Sequence, residues 1–174
     1  NARISYSSLS SVSGCGADID EGDDATSGST FSASDYCYGA SAQYDLEGEF
    51  STTQNPTSSG VWEYGYKETI TDPVFSIHST SGEGSCYSYW NTDIGSGMPA
   101  AWTNIDEATC FLGSTTIQPG EVMLHPGPND ENSVVRWIAP ASGTYSITGR
   151  FYTMSNNTTD VHVVHNTTSI FDGV

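Results

Sequence analysis

The chain has 174 residues and a mass of 18.5 kDa, room for one domain with or without an arm. Four Lys and Arg stand against 21 Asp and Glu, a formal net charge of −17. That excludes a grip on nucleic-acid phosphates or on anionic lipid, both of which need a basic surface, and no apolar run is long enough to span a bilayer.

Ser and Thr together number 46, and aromatic residues make up 11% of the chain. Such a chain is polar, yet it carries the aromatic and β-branched side chains that a core needs. Apolar stripes at helical spacing are missing, whereas short alternating runs recur. Ala2–Leu9 alternates weakly and reads as an edge or donated strand. Residues 14–28 read as a loop. Within it Asp18, Asp20, Glu21, Asp23 and Asp24 crowd five carboxylates into seven positions. A solvated acidic loop is the plainer reading. The alternative is calcium, which takes six to eight oxygens, although the spacing does not match an EF-hand.

Residues 61–69 alternate, with Trp62, Tyr64 and Tyr66 sharing a face. Strands are expected again at 73–78, 121–125, 133–139, 144–153 and 160–165, separated by Gly, Pro and Asn turns. This spacing predicts an all-β fold, an antiparallel β-sandwich or jelly roll, with a disulfide-tied N-terminal extension. Composition shifts near residue 50. Residues 1–59 are rich in Ser, Gly and Asp, with Arg3 as their one basic residue, while 60–174 hold all four tryptophans. The reading is an extension or arm over 1–59 and a sandwich domain over 60–174.

Cys15, Cys37, Cys86 and Cys110 are even in number and widely spaced, with no Cys-x-x-Cys, so two disulfides are expected and zinc is not. Nearest-neighbour pairing, Cys15–Cys37 and Cys86–Cys110, is the simplest of three connectivities. Asn156, Asn157 and Asn166 head N-glycosylation sequons, whereas Asn55 is excluded by Pro56. Disulfides, sequons and acidity together suggest an extracellular or cell-surface setting. The chain opens on Asn1 rather than Met, which reads as a processed product or a fragment.

Several aromatic residues are candidates for stacking on sugar rings: Trp62, Tyr64 and Tyr66 on one strand face, and Tyr87, Tyr89 and Trp90 after a Gly-rich stretch. At period two, the first group reads more readily as core. His162 and His165 lie three apart in a strand and so point to opposite faces, which opposes a shared metal. His125 reads as a structural turn residue, and Arg136 as its neighbour or as a partner for a carboxylate. No nucleophile elbow, His-Glu-x-x-His or phosphate loop is present.

The stretch from Pro119 through Leu124-His125-Pro126-Gly127-Pro128, then Ser133-Val134-Val135-Arg136-Trp137-Ile138-Ala139-Pro140 and Gly143-Thr144-Tyr145, resembles a β-sandwich domain of large secreted bacterial surface proteins. It is also similar in style to jelly-roll carbohydrate-binding modules. Asn55-Pro56 followed by Trp62-Glu63-Tyr64-Gly65-Tyr66 resembles that domain's start, so the likeness covers about 115 residues. The cysteines and the acidic segment depart from it. The resemblance also implies further strands beyond Val174, hence an open edge to be completed by an intrachain strand or by another molecule.

These readings converge on a non-catalytic extracellular structural glycoprotein: a subunit of a filament, sheath or matrix joined through strand or edge contacts. Its partners would be copies of itself, polysaccharide or both, and no cofactor is required, with calcium at the acidic loop as the one candidate. The alternative is a carbohydrate-binding module of a secreted enzyme or adhesin.

Overall fold

The computed structural model describes residues 2–12, 42–57, 60–153 and 159–173, with backbone alone for 2–12 and 153. The expected Cys15–Cys37 bridge, the acidic loop and the sequons at Asn156 and Asn157 lie outside the described residues. Within them the fold is all-β and antiparallel. In chain order the strands are β1 (Ala2–Val12), β2 (Gln43–Tyr44), β3 (Trp62–Lys67), β4 (Ser76–Ile77), β5 (Thr80–Glu83), β6 (Tyr87–Gly95) and β7 (Met98–Asn104). There follow β8 (Cys110–Leu112), β9 (Thr115–Ile117), β10 (Glu121–His125), β11 (Asn132–Trp137), β12 (Thr144–Thr153), β13 (Val161–His165) and β14 (Thr168–Gly173).

The large sheet runs β12-β1-β10-β7-β6-β5, and β2 adds to β1. A second sheet runs β11-β3-β4, and β8-β9 and β13-β14 are separate hairpins. Sequence distance means little in this topology. β1 inserts between β10 and β12, with Ala2 opposite both Leu124 and Thr153. The segment expected at an edge is therefore interior. Its own chain supplies neighbours on both sides, which the weak alternation of Ala2–Leu9 does not reveal.

Alternation across the large sheet builds two apolar clusters, one per face. Trp90, Ala101 and Val122 face the second sheet, where Trp62, Tyr64 and Val61 meet them around Leu46. Trp62 and Tyr64 are among the largest fully buried side chains. A ring burying roughly 200 Å² contributes about 5 kcal/mol at about 25 cal/mol per Å², so these two set the layer. Residues 42–57 close the same core. Phe50 packs on Tyr64 with ring centroids 4.5 Å apart. Trp62 Nε1 donates to Glu49 Oε2 at 2.9 Å, and Trp90 Nε1 donates to the Ser51 carbonyl at 2.7 Å. The compositional step near residue 50 thus runs through one core, with Leu46 before it and Trp62 after it.

Two polar devices hold the second sheet. Asn55 Nδ2 donates to the carbonyls of Tyr64 (2.7 Å) and His78 (3.0 Å), while its Oδ1 accepts from Tyr64 N–H at 3.0 Å. Glu63, buried on β3, is ion-paired with its cross-strand neighbour Arg136, whose guanidinium lies 4.1 Å over the Phe75 ring. A buried carboxylate left alone would be costly, so Arg136 serves the carboxylate and not His125.

On the opposite face, Met123, Ile117 and Cys110 form the second cluster, with Tyr87, Trp102 and Leu112 against it. The Cys86–Cys110 disulfide, with Cα atoms 5.5 Å apart, ties the start of β6 to β8. Closing a 24-residue separation contributes roughly 3 kcal/mol in the chain-entropy model. The β6–β7 hairpin turns at Ser96 and Gly97, both with positive φ (56° and 74°), as a two-residue type I′ turn demands.

Candidate functional site

The aromatic candidates separate by burial. Trp62, Tyr64 and Trp90 lie in the core at 2%, 0% and 7% exposure and offer no ring face to a ligand. The reason is that β3 and β6 are each covered on the face that carries these rings. Tyr66 is half-buried and stacks on His78 with centroids 6.0 Å apart. Tyr87 and Tyr89 point away from Trp90, as period two requires, so the expected Tyr89-Trp90 pair is split between faces.

Tyr87 and Tyr89 lie across the edge strand and the residue that follows it. A Cβ added to Gly82 would meet the Tyr89 hydroxyl at 2.5 Å and its ring at 2.7 Å, and one added to Gly84 would run into the Tyr87 ring. The glycines let both rings lie down over the backbone, with their centroids 6.2 Å apart. This half-exposed strip leads to a half-open cavity of about 300 Å³. Met98, Trp102, Met123 and His125 line it from β7 and β10, Leu112 and Thr115 from the β8–β9 hairpin. Trp102 meets the His125 ring edge-on, at 5.8 Å and 88°.

The histidines do not converge. His78 is 1% exposed; its Nδ1 lies 3.1 Å from Thr92 Oγ1 and its Nε2 is buried without a partner. Burial pushes its pKa down to about 4, so the ring is neutral. His162 sits between Asp172 (Nδ1 to Oδ1, 2.6 Å) and Asp160 (Nε2 to Oδ2, 3.2 Å). The Asp172 hydrogen bond, then that of Asp160, raises its pKa. Asp172 itself is held low by Ser169 and then by His162. His165 turns instead to the Asn166 side chain. Among the described residues no three or more of His, Cys, Asp and Glu gather to hold a metal ion.

The C-terminal part is the most open surface. Ile147 on β12 is 49% exposed, and on the β13–β14 hairpin Ile170 and Phe171 are 57% and 48% exposed. Among the described residues the hairpin pairs only with itself, and Phe171 stacks on Phe151 of β12 at 5.8 Å. β12 is an edge of the large sheet, ten residues long. Asn166, heading the described sequon, is exposed in the β13–β14 turn with φ 59°. No helix of the described residues is long and apolar enough to cross a membrane.

Compared with protein-family models, curated proteins and solved structures, the chain matches none. Its function must be argued from its own surfaces.

Proposed function

We propose that this chain is a non-catalytic extracellular structural subunit that associates with copies of itself through its β12 edge and β13–β14 hairpin. One observation carries the reading: Ile147, Ile170 and Phe171 are left uncovered by the described residues, beside a ten-residue strand whose outer side no described strand pairs. Two-stranded hairpins are marginal alone, and long open edges invite strand addition. A second copy offers both an edge and an apolar face. The Cys86–Cys110 disulfide and the exposed Asn166 sequon support an oxidising, glycosylating setting. The resemblance to surface-protein sandwiches points the same way.

Phe171→Asp tests it. Light scattering across a concentration series is expected to show assembly for the parent chain and a loss of at least tenfold in association for the variant. A parent chain that stays monomeric at every concentration overturns the reading.

A polysaccharide-binding module is the second reading, favoured by the Tyr87–Tyr89 strip lying over Gly82 and Gly84. Here Tyr89→Ala should reduce retention on insoluble polysaccharide by about tenfold, as stacking contributes on the order of 1 kcal/mol or more per ring. If the parent chain is not retained at all, this second reading is wrong.

A further inference from the structure

We propose that the cavity between the large sheet and the β8–β9 hairpin is a soft-metal site for Cu(I), with the Met98 and Met123 thioethers and His125 Nε2 as ligands. The chain has three methionines and four histidines, and two of the former share this cavity with one of the latter. Thioether sulfur and imidazole nitrogen select Cu(I) over hard cations. Among the described residues no carboxylate lines the cavity, so they offer calcium and magnesium none of the anionic oxygens these ions favour.

Strand register explains the convergence. Met123 lies opposite Trp102, and His125 opposite Ala100. Met98, two residues before Ala100, projects from the same face, as does Met123, two residues before His125. The two methionines therefore flank His125 from either side along the strand axis. On one face, neighbours two residues apart or diagonal across an antiparallel pair lie about 7–8 Å apart at the backbone. Unbranched thioethers with three rotatable bonds span such gaps.

His125 is set up as a ligand by its outer contact. Nδ1 lies 2.7 Å from the Pro126 carbonyl oxygen, which only accepts hydrogen bonds. In the neutral ring the proton is on Nδ1, and the lone pair is on Nε2. This is the second-shell arrangement that fixes a metal-binding histidine. Trp102, edge-on to the imidazole, restricts its rotation. The net charge of −17 draws cations toward the whole surface, so a site with neutral ligands does not repel its ion.

The test uses the full chain with ¹³C-methyl-labelled methionine and ¹⁵N-labelled histidine. Silver(I), a redox-inert d¹⁰ ion, is titrated first, then Cu(I) kept reduced with ascorbate. One equivalent is expected to shift the methyl signals of Met98 and Met123 together with His125 Nε2, and to leave Met154 unmoved. Met98→Leu conserves volume on a half-buried residue and should weaken binding at least tenfold, as should His125→Gln; both should keep the parent circular-dichroism spectrum. Zinc and calcium should move none of these signals. The proposal fails if one equivalent of silver leaves the Met98 and Met123 methyls in place, including where cysteine sulfur or Met154 takes the ion instead. It also fails if Met98→Leu binds as tightly as the parent.

Discussion

Deleting residues 1–12 is expected to collapse the outer half of the large sheet rather than to trim it. β1 is paired along its length with β12, from Ala2 opposite Thr153 to Val12 opposite Thr144, and with β10 from Ala2 to Ser5. Without it, β12 has no sheet partner among the described residues. β10 loses one side of its ladder although Glu121, Val122 and Met123 are buried. Each buried backbone group left unpaired costs about 1–3 kcal/mol, so a handful exceeds the stability of an ordinary domain. Thermal unfolding followed by circular dichroism should lose its cooperative transition or drop by more than about 10 °C. A synthetic peptide of residues 1–12 should restore it in trans, because the vacated slot has two rows of partners waiting. A truncated chain that melts like the parent would mean that β1 contributes nothing to this sheet.

His78 is expected to make the protein acid-sensitive well above the carboxylate range. Its folded pKa of about 4 lies below the ordinary 6.5, with burial as the cause. Between those values the unfolded chain binds a proton that the folded chain refuses. The sign follows: the His78 contribution is intact above pH 6.5 and is lost as pH falls toward 4. The gap corresponds to about 3 kcal/mol at most. The ring has few ways to relieve a charge, because Tyr66 stacks on it and its nearest polar partner is Thr92 Oγ1. Protonating some of the 21 carboxylates relieves repulsion and works the other way, so the informative quantity is the difference between parent and variant. Urea unfolding at pH 7.5 and pH 5 should show His78→Gln losing less stability than the parent on acidification. Equal losses in the two proteins would remove His78 as the cause.

Parts of both sheets were readable in advance. β3 and β12 fall within runs that alternate, β10 is a short apolar run closed by Pro126, and β13 follows a polar turn. β6 carries aromatic rings on both faces, so Tyr87, Tyr89 and Trp90 leave no polar–apolar period to detect, and β7 is covered on both faces, where Ala100 and Ala101 are poor strand signals despite full burial. β8 and β9 are three residues each, too short for any pattern. The cavity was invisible for a different reason. Met98, Trp102, Leu112, Met123 and His125 come from three separate stretches, and only register brings them together. The single local hint was Met123 and His125 at spacing two. The aromatic platform was misplaced in part because a run such as Tyr89-Trp90 names two rings without saying that they face opposite layers.

The threading of β1 bears on how the molecule comes into being. A ribosome releases this strand well before its partners, because its ladders require Glu121–His125 and Thr144–Thr153, which emerge more than a hundred residues later. Such long sequence separation slows closure of the sheet, since the entropy of a large loop is lost before any pairing compensates it. During that delay a nascent chain carries an unmatched ribbon at one end and, once β10 and β12 form, a vacant groove at the other. The outer half of the large sheet is therefore sealed late, by the oldest of its three strands.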